Sequence, residues 1–513
     1  YELAVLAVKD KDYKQAMDMI TQSLYVGGRD LQALTLKAYI LRMQDKKEEA
    51  QETIHYIQQI DPLDYWSAAE ASLSASQGAS FLKAGTNHNS KGIIAIQELL
   101  EVVNNYMTIG ATEDALTLLN SAISLGEPYA SYPLLYYYKA YNLLKSKNSI
   151  EFQTCLDKAR SLSPLNNYPF RIEEIALFKT LLQKRPDDAL LHYHLGNLLY
   201  FLGQKESGLE HWLHATETDP SFAIAARNVG FGYGCLNDLE KSIKYYDRAI
   251  NANPNDPLLL TESDKIYEQA NIPTDQRLKR LESHLKTVMK HDDAVMRLLT
   301  LYNAESKYDK SIKILNTRHF HLWEGGGQVH DIYADSHILK GMQFLKRKQY
   351  KEAIREFDLA NQYPSNLEVA PSPNGGYEAK IYYLSGIAYE AMKQTDKAKI
   401  CFEKSADTHF RSHLTDLNYY KIKSLRKLNR NGEADVALSN MQKTLERILR
   451  NPTDSYAKFG EANQNVQQSN ISYYSGLIYL LQNNPSAAKN DFTQALQLYP
   501  GNIWAQLMNK DIH

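Results

Sequence analysis

Landmark residues recur every 34 positions in this chain, and that spacing constrains its fold more than any other feature. The stretch from Ala189 to Pro220 contains Leu195, Gly196, Leu199, Gly208, Trp212, Ala215 and Pro220. The next contains Val229, Gly230, Tyr233, Ser242, Tyr246, Ala249 and Pro254. A period of this length fits a supersecondary unit that cannot bury its apolar face alone and so stacks on copies of itself. The residue types describe two antiparallel helices. Gly196 and Gly230 on the first helix, with Ala215 and Ala249 on the second, are small where the helices approach closely. Trp212 and Tyr246 fill the groove made with the next unit. Pro220 and Pro254 stop the second helix, and Ser221 and Asn255-Asp256 offer polar caps for the next one.

Other stretches repeat the pattern. Gly476, Tyr479, Ala488, Phe492, Ala495 and Pro500 match fully, and Gly386, Tyr389, Ala398 and Phe402 match well. Tyr350, Ala353, Phe357 and Ala360 mark a second helix whose partner runs through Gly341 and Phe344. Partial matches lie at Tyr13 and Ala16, at Ala50 and Pro62, at Tyr106, Ala115 and Ala122, and at Ala140, Ala159 and Pro164. Period and residue types resemble the tetratricopeptide repeat over nearly the whole chain. The resemblance implies an all-α fold, a right-handed α-solenoid of tetratricopeptide-type helix pairs, whose concave groove binds a peptide or a partner domain. Alternating strand patterns are scarce, and about three-quarters helix is expected, far above the usual third.

Four stretches break the period. Residues 78–90, 364–376 and 451–470 are small, polar or proline-rich and read as lengthened turns. Residues 319–337 differ in kind. They hold four histidines, Trp323, Glu324, Asp331, Asp335, Tyr333 and the glycines 325 to 327. The expected organisation is therefore an array over 1–318, an inserted loop over 319–337 and an array over 338–513. Glycines 325 to 327 oppose a helix interior and permit a tight turn or close backbone approach.

Phe320, His321, Trp323, Glu324, Gly325, Gly326, Val329 and Tyr333 resemble a segment in large two-part bacterial proteins. In that family an N-terminal β-supersandwich domain of the galactose-mutarotase type precedes a long tetratricopeptide array. The resemblance implies that this chain is a C-terminal half, and that any sugar chemistry belongs to the other domain. Binding is assigned to His321, Trp323, Glu324, Gly325, Gly326, His330, Asp331 and Tyr333, with the loop projecting from the edge of the solenoid. The insert has two further readings. In an extended segment His319 and His321 share one face, and Glu324, His330, Asp335 and His337 could complete a metal shell. A structural loop of hydrogen-bonded histidines accounts for the same residues. No metal and no cofactor is assigned.

Gly230, Gly232 and Gly234 imitate a dinucleotide loop, but no strand precedes them and Gly230 already has a packing role. Hydrolase, metalloprotease and phosphate-loop signatures are missing. The carboxylate pairs Glu173-Glu174 and Asp292-Asp293 read as solvated helix or cap charges. The 36 tyrosines, including Tyr136-Tyr137-Tyr138, read mainly as packing residues. A formal net charge of -2 lacks the basic excess of a general nucleic-acid binder. Cys155, Cys235 and Cys401 match no metal spacing and read as small buried hydrophobes. No run reaches the length of a membrane span. The chain opens at Tyr1 inside a helical pattern, as a fragment or a processed protein would, so both cytoplasm and periplasm remain open. The function expected is a non-catalytic scaffold for a peptide or partner domain, its own absent N-terminal domain among the candidates. The alternative is the accessory half of a carbohydrate-active enzyme.

Overall fold

The computed structural model describes residues 1–82, 92–146, 149–321, 328–371, 376–409, 414–450 and 464–512. The fold is an all-α solenoid, 77% helical, with no strand among the described residues. None of the helices described is long and apolar enough to cross a membrane. Two compact units are formed, Tyr1–Val229 and Gly230–His513. In chain order the helices that begin in the first unit are α1 (Glu2–Lys9), α2 (Tyr13–Val26), α3 (Leu31–Met43), α4 (Lys47–Ile60), α5 (Tyr65–Ser74), α6 (Ile93–Thr108), α7 (Thr112–Ser124), α8 (Pro133–Ser146), α9 (Ser149–Arg160), α10 (Glu173–Lys184), α11 (Ala189–Phe201), α12 (Lys205–Thr218) and α13 (Ala223–Cys235). The rest are α14 (Leu239–Ala252), α15 (Pro257–Gln269), α16 (Thr274–Ser283), α17 (Leu285–Val288), α18 (Asp292–Ala304), α19 (Tyr308–Thr317), α20 (Gln328–Lys346), α21 (Tyr350–Ala360), α22 (Glu378–Ala391), α23 (Thr395–Ala406), α24 (Asp416–Lys427), α25 (Asn431–Arg450), α26 (Gln464–Leu481), α27 (Pro485–Leu498) and α28 (Ile503–Asp511).

One backbone device recurs between paired helices. The middle residue of a three-residue turn takes a left-handed conformation at Lys11, Asp45, Gly110, Gly203, Asn237, Ser306, Lys348, Lys393, Asn429 and Asn483. The next backbone N–H then reaches back to the closing turn of the first helix, as from Lys46 to Leu41, Gln204 to Leu199 and Asn484 to Tyr479, each at 2.9 Å. This is the Schellman closure, and it satisfies carbonyls that a helix end leaves orphaned. The left-handed form costs roughly 1–2 kcal/mol for a residue other than glycine, so the stacked helices must hold it in place.

A second device locks each pair. A Cβ built on Gly196 would lie 2.5 Å from Trp212, on Gly230 2.8 Å from Tyr246, on Gly386 2.6 Å from Phe402, and on Gly476 2.5 Å from Phe492. In every case the aromatic on the second helix stands sixteen residues after the glycine on the first. Gly230 is thus a packing residue, and Gly341 meets Phe357 in the same way. Tyr136, Tyr137 and Tyr138 are all buried, in keeping with their packing role.

Several expectations need correction. Only 319–321 is non-helical among the described residues of the 319–337 segment, because α20 already starts at Gln328. Hydrogen-bonded and packed partners on one face of that helix outweigh its loop-like composition, as detailed below. Residues 464–470 likewise belong to α26, where Ser469 is fully buried and donates to the Ala495 carbonyl at 2.8 Å. Glu174 is fully buried rather than solvated. It accepts from Tyr138 Oη at 2.9 Å and from the backbone N–H groups of Phe170 and Arg171 at 2.9 and 3.0 Å. Burial still pushes its carboxyl above the usual range. Cys235 is exposed, whereas burial raises the Cys155 thiol to about 11.

Candidate binding surface

The segment before α20 is tied down from several sides. Phe320 is fully buried, and its N–H donates to the Asn366 carbonyl at 2.9 Å. The Asn366 amide returns two bonds, to the carbonyls of Leu315 at 2.8 Å and Arg318 at 2.7 Å. Asp292 accepts from the His321 N–H at 2.9 Å and from the Arg318 guanidinium at 2.7 Å. With Phe320 anchored inward, His319 and His321 point to the same side, as alternation in an extended segment requires. Both face Glu368. His319 Nε2 is 2.7 Å from its Oε1, and His321 Nδ1 is 3.8 Å away. Glu368 has a left-handed backbone (φ 53°), and its neighbour Leu367 is fully buried.

The assigned residues on α20 divide between two faces. His330 and Tyr333, both assigned to binding, are buried. The His330 ring stacks on Tyr363 at 3.8 Å between centroids, and its Nε2 donates to the Gln362 carbonyl at 3.0 Å. Tyr333 meets the ring of His337 edge-on at 4.6 Å, and His337 Nδ1 donates to Glu356 at 2.6 Å. These residues bind α20 to α21 and the turn after it, so their polar atoms serve the fold. Trp323, Glu324, Gly325 and Gly326 lie outside the described residues.

Asp331 and Asp335, one helical turn apart, take another face of α20. Asp331 is exposed and bonded to Tyr377. Asp335 is half-buried, its Oδ1 enclosed without a partner. Burial pushes its carboxyl up to about 7, although the nearby Lys380 ammonium pulls the other way. Lys380 is itself fully buried and pairs with Asp416. Its Nζ stands 3.4 Å from the centre of the Trp504 ring, a close cation–π contact.

Trp504 belongs to α28, which crosses the inner wall of the second unit. In this unit the first helices of successive pairs touch one another along the series α18, α20, α22, α24 and α26, which makes them the inner layer. Ile503, Trp504 and Leu507 of α28 pack on Tyr308, Ile312 and Leu339. Lys346 bonds Asp511 at 2.6 Å, and Tyr499 donates to Glu268 at 2.9 Å. Glu268 belongs to a buried network in which Asp264 accepts from Arg277 and Arg297. Burial alone would raise the Asp264 carboxyl, but the two guanidinium groups hold it below its usual value.

Sequence reasoning missed Glu368, Lys380 and Trp504. Glu368 fell in a stretch read as a lengthened turn, and the other two fell within ordinary helical patterns.

A family model described as "Tetratricopeptide repeat" matches residues 233–256 and 379–407. Among solved structures, YrrB, titled "a TPR protein with an unusual peptide-binding site", is 16% identical over 42% of this chain and 97% of its own, with a TM-score of 0.29. MamA from Desulfovibrio magneticus RS-1 is 17% identical over 38% of this chain and 93% of its own, with a TM-score of 0.22. A chain of the APC/C hetero-tetramer Cut9–Hcn1 is 13% identical over 98% of this chain and 94% of its own, with a TM-score of 0.25. The chain carries tetratricopeptide repeats, matched at α14 with the end of α13 and at α22–α23, the latter holding both Lys380 and the Gly386–Phe402 interlock.

Proposed function

We propose that this chain is a non-catalytic scaffold whose inner wall binds a peptide or helical segment of a partner protein. The observation that carries this reading is α28 in the second unit. A nine-residue helix lies against α19, α20 and α22 with one aromatic on a buried cation, three apolar contacts and a terminal ion pair. Those are the elements of helix-in-groove recognition, provided here in cis. A partner segment would need the same chemistry, an aromatic anchor followed by an acidic end.

The test is a labelled peptide of residues 500–512 offered to the full chain and to its Trp504→Ala variant, with binding followed by anisotropy. The intact chain should refuse the peptide, because a tethered α28 competes at roughly millimolar effective concentration. The variant should accept it, and should reject a peptide lacking the tryptophan. Equal binding of both peptides, or of neither, would remove the support.

The resemblance of the 319–337 segment adds a specific occupant. A mutarotase-like domain in a longer parent would dock beside the exposed His321 and Asp331 and carry any carbohydrate chemistry. Association of the two halves that survives replacement of both residues would count against this.

A further inference from the structure

We propose that His319, His321 and Glu368 form a site for one divalent transition-metal ion of the zinc type. This site is separate from the inner wall and does not depend on that reading.

Three observations carry it. First, one ligand atom from each residue lies within 4.8 Å of the others, although Glu368 is 49 residues along the chain from His319. Second, the frame beneath is rigid while the ligating heads are open to solvent. Phe320, between the two histidines, and Leu367, beside the glutamate, are both fully buried. The bond from Phe320 N–H to Asn366 and the two bonds from the Asn366 amide fix the register between the ligand-bearing segments. The imidazoles can therefore swing onto an ion without repacking the core. Third, Glu368 is held in a left-handed conformation outside the recurring turns, and that conformation costs a non-glycine residue free energy.

The donor set identifies the ion. Two imidazole nitrogens and one carboxylate suit zinc and its neighbours, whereas magnesium and calcium favour sites built wholly from oxygen. Three protein ligands leave at least one position for water or for a partner's donor. The ion would join the segment before α20 to the turn after α21.

The test is calorimetric titration of the full chain with Zn²⁺, with Co²⁺ as the spectroscopic probe. One equivalent should bind, Co²⁺ should give the visible bands of imidazole–carboxylate coordination, and Zn²⁺ should raise the melting temperature. His319→Ala, His321→Ala and Glu368→Gln should each weaken binding by at least about tenfold. All three should keep the wild-type circular dichroism, since the heads are exposed. No binding at 100-fold excess, or binding untouched in any one of the three variants, would overturn the three-ligand site. The second outcome would assign the ion to other histidines, such as His192, His211 and His214.

Discussion

Replacing Gly386 with alanine sets two opposing effects against each other at one atom. Alanine in a helix interior is favoured over glycine by about 1 kcal/mol. The new Cβ would lie 2.6 Å from Phe402 Cε1, 2.8 Å from Cδ1 and 3.0 Å from Cζ. That ring is 4% exposed and lies in contact with Tyr383, so it cannot swing aside as a flexible chain end would. Overpacking of this kind costs about 1–3 kcal/mol. With the clash falling in the upper part of that range, the net loss is about 1–2 kcal/mol, or a few degrees in melting temperature. Gly432→Ala is the control, since a Cβ there meets nothing within 4 Å. It should be neutral or stabilising by up to ~1 kcal/mol. Urea unfolding of both variants, with Phe402→Leu and the double variant, completes the cycle. The Gly386–Phe402 coupling should exceed ~0.5 kcal/mol, because shrinking the ring relieves the clash. If Gly386→Ala stabilises as Gly432→Ala does, or if the coupling vanishes, the interlock is not what holds the pair together.

Three further predictions probe other parts of the fold. Ala215→Leu, at a fully buried site, should lower the melting temperature through ~1–3 kcal/mol of overpacking. Arg277→Ala should cost about 1.5–3 kcal/mol in urea unfolding because it strips charge-assisted hydrogen bonds from the buried Asp264, which keeps Arg297, whereas Arg430→Ala, on surface pairs with Asp407 and Glu433, should leave unfolding nearly unchanged. Asp335→Asn should remove a pH dependence. The folded carboxyl holds its proton up to about 7, against an ordinary value of 3.8. Its contribution is therefore full at acid pH and is lost as pH climbs through that window. The stability difference between wild type and variant should shift between pH 4.5 and 7.5, and a flat difference would refute the assignment.

The glycine and aromatic positions were legible in the sequence because both lie within one repeat at a constant offset, but Trp212 and Tyr246 were assigned to the groove with the next unit, whereas each packs on the glycine of its own pair. The turn that closes each pair was not legible. Its left-handed residue is lysine, asparagine, serine, aspartate or glycine, since the stack, not the residue, holds the conformation. The Glu173-Glu174 doublet misled because adjacent helical residues point about 100° apart, so one faced water and the other Tyr138. Composition misled at 328–337 because His330 finds its partners at Gln362 and Tyr363, and His337 at Glu356, beyond the helix that carries them. Alternation did place His319 and His321 on one side, yet nothing local could bring in Glu368 from the far turn of the next helix pair. The return of α28 was the least legible feature. It depends on small rotations between successive pairs adding up until the last helix of the unit meets its α20 and α22. A 34-residue period states the step but not the angle per step, so what lies across the inner wall had to come from the structure.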